Sequence, residues 1–409
     1  MSSPCETPVM SSVEQAVHAL TSLLQPVAGS EQVALENAGG RVLAEAVPAL
    51  MDVPLWDNSA MDGYALRSGD LAGAAGSLPV AGTQAAGDRQ SRLPPGHCMK
   101  IFTGAALPAG ADSVIPRENV VVDGQLVSFG QFRAGQNIRR RGEECRKGDL
   151  LLAAGSLLRP QEIGLLASQG HARVPVWRQL RIGLVSCGNE LRTPGEPLSD
   201  GQIYDANGYL LASLLQGWGF AVQRYPLLAD DLPATMELLH SAAAQQDILL
   251  SSGGVSVGDA DYLREAVSRL GSLNLWQVAI QPGKPLAFGR IGNTPWIGLP
   301  GNPGASLVTA LVVARPALLA AAGLGNVEPA AMRVAAAFDW HKTSKRTRYL
   351  QARLEQQDGR PVAVLHQQQS SAMLANCSWA GGMVVVPPQQ QINAGDGVRF
   401  VSYQEVLHR

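Results

Sequence analysis

Three apolar segments of the chain each run into a polar loop that contains glycine. They read RIGLVSCGNEL from Arg181, DILLSSGGVSVGDAD from Asp247 and PWIGLPGNPGAS from Pro295. Continuous apolar runs followed by helical patterns are typical of parallel strands in an α/β sheet. Ligands bind such sheets where the carboxyl ends of the strands open into loops. The three loops therefore predict one composite site.

The composition is that of a globular protein without a global attraction to nucleic acid or membranes. Of the 409 residues, 46% are hydrophobic and 16% are charged, and the formal net charge is −2. Such a length predicts roughly three domains, and the near-neutral charge predicts no nucleic-acid or anionic-membrane partner. The apolar stretch from Leu307 is interrupted by Arg315 and Pro316, so no membrane span is expected.

The cysteines and the N-terminus indicate a cytoplasmic protein. The five cysteines are odd in number, scattered and without a CxxC pair: Cys5, Cys98, Cys145, Cys187 and Cys377. This pattern favours neither a disulfide framework nor a zinc site. The N-terminus lacks the basic and apolar regions of an export signal, so a cytoplasmic location is predicted.

Local signals mark two helix starts. A helix is predicted from about Val13, with Ser12 and Gln15 forming a capping box. Asn207 is a candidate N-cap for a second helix that carries apolar residues from Leu210 onward. Between residues 33 and 176 the chain consists mainly of short β-like runs and Gly/Pro turns. Similar runs return beyond about residue 325, which predicts a small all-β domain at the C-terminus.

The glycine loops contain groups that suit phosphate. Asn302 can cap a helix whose first turn holds Pro303, and a helix N-terminus attracts anions. An ordinary strand-to-helix turn explains the same loop equally well. The candidate substrate-binding residues of these loops are Ser252, Gly253, Gly254, Ser256, Gly301 and Asn302.

Carboxylates recur after the predicted strands. They are Glu190, Asp205, Asp230, Asp231, Asp259 and Asp261. Oxygen ligands beside a phosphate site suggest Mg²⁺, which is usually held by one or two carboxylates, waters and substrate phosphate. For any single member of this set, a helix cap or a surface ion pair is the alternative.

Basic side chains stand out locally against the neutral total. Lys284 lies between Pro282 and Pro285, which restrict its backbone. Two clusters accompany it: Arg139, Arg140, Arg141, Arg146 and Lys147, and Lys342, Lys345, Arg346 and Arg348. Each cluster could bind an oxyanion, since guanidinium groups form forked contacts with such ions. Solvated loop charges are the alternative.

These separate features occur together in one known family. The blocks are VPLWDNSAMDGYAL from Val53, IFTGAALPAGADSVIPRE from Ile101, NIRRRGEE from Asn137, SCGNEL from Ser186, LSDGQIYDAN from Leu198, SSGGVSVGDAD from Ser251, QPGKP from Gln281 and GLPGNP from Gly298. In this order they resemble the molybdopterin molybdenumtransferases, the MoeA and gephyrin E-domain family. The resemblance covers nearly the whole chain.

The resemblance implies an elongated multidomain α/β protein. Four parts are expected: a three-layer α/β/α molybdopterin-binding domain from residues 9–28 and 176–328, a connecting module from 29–47 and 149–175, a β-rich inserted lobe at 48–148, and a C-terminal β domain at 329–409. It also implies a homodimer with the active cleft between subunits. The partners would be a molybdopterin adenylyltransferase and downstream cofactor-handling proteins or apo-molybdoenzymes.

The resemblance further implies the reaction and its residues. Such enzymes take adenylylated molybdopterin and molybdate as substrates, cleave the adenylate with Mg²⁺, and leave molybdenum on the dithiolene. The residues that match catalytic positions are Asp62, Thr103, Glu144, Glu190, Asp230 and Asp261, with Asp230 and Asp261 as metal ligands. Those that match the molybdate pocket are Lys284, Arg348 and Ser371.

Three departures from the family pattern qualify the assignment. Asn189 stands where the family usually has aspartate, Gln281 where it has lysine, and Glu144 where it has aspartate. The change at Gln281 removes a cation beside the expected oxyanion site. The departures leave open an alternative function, that of an altered-oxyanion or non-catalytic paralogue that binds and delivers molybdopterin.

Overall fold

The computed structural model of the protein describes residues 10–24, 26, 29–73, 76–253 and 262–409. The chain divides into two compact units. The larger unit comprises Met1–Glu45, Ala154–Pro160 and Arg173–Arg409, and the smaller unit comprises Ala46–Ala153 and Gln161–Ala172.

A six-stranded sheet lies at the centre of the larger unit. The first four strands in spatial order are parallel and the last two are antiparallel: Ala221–Arg224, Arg181–Ser186, Ile248–Ser252, Thr294–Leu299, Pro285–Ile291 and Gly271–Gln277. All five residues of Ile248–Ser252 are buried, as expected for a strand covered on both faces. The three apolar segments are therefore strands, as predicted.

Helices cover both faces of this central sheet. Successive residues of a strand face opposite sides, so Leu250 belongs to the same apolar cluster as Leu20 and Leu307, whereas Leu249 clusters with Leu239 and Leu263. The helices are Val13–Leu24, Ala206–Gly217, Leu232–Gln245, Tyr262–Leu270 and the continuous Pro303–Ala321. The predicted three-layer α/β/α domain is confirmed.

One of the two predicted helix N-terminal caps is present in the structure, and the other cap is formed by a different residue. The Ser12 amide donates to Oε1 of Gln15 at 2.9 Å, and the Gln15 amide donates to Oγ of Ser12 at 3.2 Å, so the capping box is present. The second N-cap is Asp205 and not Asn207, because the buried Asp205 carboxylate accepts from the Gly208 amide at 2.8 Å. The Asn207 prediction was wrong because its side chain bonds to other loops.

The most apolar helix is a core element. Pro303–Ala321 is long and apolar enough to cross a membrane by composition, yet 83% of the most apolar window is buried. The helix continues through Arg315 and Pro316, with a π-helical segment at Ala310–Ala314. Burial of this kind is typical of the central helix of a layered domain.

The last strands of the larger unit close into a barrel. The ring consists of Thr347–Gln357, Arg360–Leu365, Met332–Ala336, Gly397–Ser402 and Gly382–Val386, and the last of these pairs back to the first. Leu350, Val384 and Phe400 belong to its buried core. Ile280–Gln281 adds in parallel to the longest strand. The predicted C-terminal β domain is confirmed.

Shorter elements complete the larger unit. They are the paired strands Ser30–Ala34 and Arg173–Trp177, the paired strands Leu191–Arg192 and Ile203–Tyr204, the 3₁₀ turn Leu35–Asn37, and the helices Leu374–Trp379 and Tyr403–Val406.

The smaller unit is built on a mixed β-sheet with its own core. In spatial order its strands are Ser113–Pro116, Gly63–Leu66, Cys98–Ile101, Ser77–Gln84, Leu126–Phe129 and Val120–Asp123. Two short pairs join Val47–Pro48 to Leu150–Leu152 and Asn58–Ser59 to Ile138–Arg139, and the helical segments are Ser68–Gly73, Arg117–Asn119 and Pro160–Ser168. Tyr64, Leu78 and Val127 are buried together in one cluster.

Candidate functional site

The carboxyl ends of three neighbouring parallel strands meet at one edge of the central sheet. The Gly253 amide donates to the carbonyl of Leu299 at 3.0 Å, which joins the second and third glycine loops. Gly253 has a φ of +82°, a conformation that favours glycine. A Cβ added at Gly301 would lie 3.7 Å from the Gly253 Cα, so the two loop backbones approach closely. The glycine loops therefore lie side by side at one edge of the sheet, and their use as one composite binding site stays a prediction.

Asn207 ties these loops together. Its Nδ2 donates to Oγ of Ser252 at 2.7 Å and to the carbonyl of Gly301 at 2.6 Å. Its Oδ1 is buried and has no hydrogen-bond partner in the described part of the chain. Sequence reasoning missed this role. The signal available was its position two residues after the strand-end carboxylate Asp205.

A reciprocal pair links the first loop to the loop after Ala221–Arg224. The Asp230 amide donates to Oδ1 of Asn189 at 3.0 Å, and the Asn189 amide lies 3.4 Å from Oδ2 of Asp230. The Cys187 thiol lies 3.7 Å from the other oxygen of the same carboxylate. An amide at position 189 accepts this bond without placing a second negative charge beside Asp230.

The donor set at this edge suits magnesium. Asp230 and Glu190 are both exposed carboxylates, and Glu190 packs against Gly188. Within the described ranges no group of three or more His, Cys, Asp or Glu side chains is close enough to hold an ion. Mg²⁺ often takes only one or two protein carboxylates beside substrate phosphate, so the exposed Asp230 carboxylate could supply one ligand of such an ion. Asp261, the other predicted ligand, lies outside the described residues.

The helix that follows the third strand offers fewer free donors than predicted. Asn302 occupies the N-cap position, but its side chain forms no capping bond. The Gly304 amide donates to the carbonyl of Ser371 at 2.8 Å, and Pro303 has no N–H. The Gly304 amide is therefore not free to bind an anion, because the barrel loop that carries Ser371 covers that position.

The residues predicted for the molybdate pocket adjoin the same helix. A Cβ at Gly283 would collide with the Thr309 hydroxyl, so the QPGKP loop lies directly against the helix. Lys284 follows Gly283 and is exposed. The Ser371 carbonyl accepts from the Gly304 amide, so Ser371 lies beside the first turn of this helix.

Arg348 connects the barrel to the QPGKP loop. It pairs in register with Gln281, and its Nε donates to Oε1 of Gln281 at 3.1 Å. Its terminal nitrogens donate to the carbonyls of Lys342 and Thr343, and the guanidinium lies 5.5 Å from the centre of the Trp340 ring. Partial burial, and then the neighbouring charge of Arg346, lower the pKa of Arg348.

The smaller unit carries a second group of predicted residues. The amide and hydroxyl of Thr103 donate to the same Asp62 oxygen at 2.7 and 2.8 Å. These bonds, first from the amide and then from the hydroxyl, lower the pKa of Asp62, so its carboxylate stays charged at neutral pH. Glu144 is exposed, and its amide donates to the carbonyl of Val53 at 2.9 Å.

The first basic cluster is partly neutralised. Arg140 forms an ion pair with Asp57 at 2.7 Å, and Arg141 forms one with Asp52 at 2.7 Å. The alternative of solvated loop charges therefore describes these two arginines, which are also ion-paired.

The structure thus brings part of the predicted site together. The sheet edge of the larger unit carries Ser252 at the end of its strand, and Gly253, Gly301, Glu190 and Asp230 on the adjoining loops. The segments that meet the adjoining helix or loop carry Asn302, Lys284, Arg348 and Ser371. Gly254, Ser256, Asp259 and Asp261 lie outside the described residues.

Family models match nearly the whole chain in three consecutive parts. The MoeA N-terminal region (domains I and II) matches residues 11–170, a probable molybdopterin binding domain matches 183–320, and the MoeA C-terminal region (domain IV) matches 333–403.

Individual relatives agree with this assignment. The chain is 41% identical to the molybdopterin molybdenumtransferase of Haemophilus influenzae over 290 residues, 70% of this chain and 72% of the relative. It is 35% identical to that of Nostoc sp. over 372 residues, 88% and 85% of the two chains. The solved MoeA protein of Pyrococcus horikoshii matches with a TM-score of 0.82 and 25% identity over 97% of this chain and 100% of that one. The chain therefore belongs to the molybdopterin molybdenumtransferase (MoeA) family, the transferases of molybdenum cofactor biosynthesis.

Proposed function

We propose that this protein inserts molybdate into adenylylated molybdopterin in a Mg²⁺-dependent reaction that releases AMP. The observation that carries the proposal is the bridge made by Asn207. It holds the Ser252 and Gly301 loops together beside a helix on which the loops of Lys284 and Ser371 converge. The edge proposed to bind phosphate and the group proposed to bind the oxyanion therefore adjoin one another in the larger unit.

The sheet edge would hold the diphosphate of the substrate. Hydroxyl and backbone groups at Ser252 and Gly253 would contact its oxygens, and Gly253 and Gly301, which have no side chains, leave room for close approach. Asp230 and Glu190 would hold Mg²⁺, with Asp261 as a further proposed ligand. The ion, when bound, would neutralise charge that develops on the phosphate oxygens as AMP leaves.

The adjoining group would hold molybdate. Lys284 and Arg348 supply two positive charges and Ser371 a hydroxyl donor, which suit a tetrahedral dianion. The family's additional lysine is replaced by Gln281, whose Oε1 accepts from Arg348. This bond orients one guanidinium nitrogen and leaves the positive charge of Arg348 in place, which favours retained function over a degenerate site.

The remaining assignments also belong to the proposal. Asp62, Thr103 and Glu144 would contact substrate across a homodimer. The protein would act in the cytoplasm, receive its substrate from a molybdopterin adenylyltransferase and pass its product to cofactor-handling proteins or apo-molybdoenzymes. No nucleic-acid or membrane partner is proposed.

One reconstitution experiment separates the enzyme from the alternative carrier. Purified protein is mixed with adenylylated molybdopterin, Mg²⁺ and molybdate, and both AMP release and activation of an apo-molybdoenzyme are followed. The proposal expects both readouts to depend on Mg²⁺ and molybdate. Tight binding of the pterin nucleotide without AMP release would instead support the non-catalytic carrier, and a response to tungstate alone would support altered oxyanion preference.

A further inference from the structure

Two arginines face each other on the outer surface of the C-terminal barrel. Arg333 and Arg399 are directly opposite in the antiparallel pairing of Met332–Ala336 with Gly397–Ser402. Both are exposed. Like charges directly opposite one another destabilise a sheet, so the arrangement calls for a compensating anion.

Within the described ranges no ion pair compensates the two arginines, although Glu14 and Glu328 line a second groove that Arg399 also borders. Among the described residues, neither Arg333 nor Arg399 forms an ion pair, whereas Arg353 on the same barrel pairs with Glu355 at 2.6 Å. A Cβ at Gly397 would lie 2.8 Å from Nε of Arg333, so that side chain rests on bare backbone. The two guanidinium groups therefore have donors available to a ligand.

The arginines line a cleft and not a flat surface. The cleft has a volume of about 390 Å³. Its other lining residues include Val385, Pro387, Gln390 and Ile392. It thus combines two cations and an amide with an apolar wall, the combination found in sites for small organic anions.

This cleft is separate from the group around Arg348. The row Arg333, Arg399, Val385 and Tyr349 runs across four strands in register. Because successive residues of a strand face opposite sides, Tyr349 and Arg348 point to opposite faces. The opposed arginines therefore lie on the other side of the barrel wall from the bond between Arg348 and Gln281.

We propose that the Arg333–Arg399 cleft is a binding site for a phosphate monoester that carries an apolar group. Two guanidinium charges match the near-dianionic charge of such a phosphate at neutral pH better than the single charge of a carboxylate. Their planar forks suit its three terminal oxygens. The apolar wall provides a surface for the esterified group.

Calorimetry on the full chain tests the site with phenyl phosphate, inorganic phosphate and benzoate as probes. Phenyl phosphate should bind saturably and more tightly than either of the other probes. Arg333→Gln and Arg399→Gln should each weaken it by about tenfold or more, since each removes a charge-assisted fork. The matched control Arg360→Gln removes an exposed arginine elsewhere on the barrel and should leave binding unchanged.

Two further measurements locate the binding and check folding. Binding should persist in Lys284→Ala, since that variant alters only the predicted molybdate pocket; its loss there would overturn the assignment. Without ligand, Arg333→Gln should melt at a higher temperature than the wild type, because it relieves the opposed charges. The proposal would be overturned if Arg333→Gln melted at a lower temperature than the wild type. It would also be overturned if the Gln variants bound phenyl phosphate as tightly as the wild type, or if the wild type bound benzoate as tightly as phenyl phosphate.

Discussion

Arg348 and Gln281 lie opposite each other in two parallel strands, and Nε of the arginine donates to Oε1 of the glutamine at 3.1 Å. The resemblance to the family implies a lysine in place of this glutamine, and a lysine could not accept the bond. Gln281 therefore lacks the positive charge of a lysine, but its oxygen orients the guanidinium group of Arg348.

Removing that acceptor should weaken molybdate use. Gln281→Leu leaves the Nε donor of Arg348 without its partner, a loss of about 1 kcal/mol or roughly fivefold in the molybdate needed for half-maximal cofactor yield. Gln281→Lys also lacks the acceptor but adds a charge, so it should approach the wild type only at low salt. Yields are measured against molybdate at two salt concentrations. An unchanged Gln281→Leu profile contradicts the orienting role.

Lys284 should matter more for molybdate use than a lysine of the second basic cluster. Lys284→Ala removes one of the two matched cations, so the half-maximal molybdate concentration should rise by about tenfold or more. Lys345→Ala removes an exposed lysine from the cluster that contains Arg348 and serves as the matched control. Equal effects of the two substitutions would indicate that Lys284 acts only through the general positive electrostatic potential and does not belong to a molybdate pocket.

Sequence patterns correctly predicted the structural features that depend on residues close together in the chain. The strand at Ile248–Ser252 and the capping box at Ser12 follow from burial and from spacing within one turn. The contact of Gly304 with Ser371 could not be predicted, because it depends on how the barrel loop meets the long helix. Asn207 was misassigned for the same reason, since its partners lie on two other loops.

Asn207 should act by positioning the loops. Asn207→Ala removes both donated bonds, to Ser252 and Gly301, and should lower the free energy of unfolding by about 1–3 kcal/mol. Asn207→Asp keeps the size but loses the donor, so it should be at least as damaging. Asn274→Ala, at an exposed position on an edge strand, is the control. Urea unfolding and the dependence of AMP release on substrate are measured together.

The two readouts distinguish a positioning role from a merely structural one. If Asn207 aligns the phosphate-binding loops, the KM for the pterin nucleotide should rise in conditions where the variant is still fully folded. A stability loss with unchanged KM and kcat would leave Asn207 with a structural role only.

Asn189 should tune the response to magnesium. Asn189→Asp places a second carboxylate beside Asp230, which adds an anionic ligand and should lower the Mg²⁺ concentration needed for half-maximal AMP release. Without Mg²⁺ the same variant should be less stable, because the two negative charges repel. Asp230→Asn should slow AMP release by orders of magnitude. Identical Mg²⁺ titrations for the wild type, Asn189→Asp and Asp230→Asn would show that Asn189 and Asp230 do not contribute to a metal site.

The amino end of the central strand carries an ion-pair group that sets acid stability. Asp247 is buried, accepts from both terminal nitrogens of Arg178 at 2.9 and 3.0 Å, and accepts from the Arg181 amide at 2.8 Å. Burial alone would raise the pKa of Asp247, but the bonds from Arg178 and Arg181 outweigh it and lower the pKa to about 2.

Because the pKa of Asp247 is lower in the folded chain than in the unfolded chain, its contribution to stability decreases as the pH falls. The unfolded chain takes up a proton near the usual value of 3.8, whereas the folded chain does so only near 2. The stabilisation is therefore complete above the unfolded pKa and is lost as the pH falls through the window between these values.

Asp247→Asn should lower the free energy of unfolding by about 2 kcal/mol at neutral pH. The difference from the wild type should stay constant down to about pH 5 and shrink at about pH 3. Urea unfolding at these pH values measures it, with Glu237→Gln, an exposed carboxylate on Leu232–Gln245, as the control. A deficit that grows on acidification would show that Asp247 does not stabilise the fold as a carboxylate.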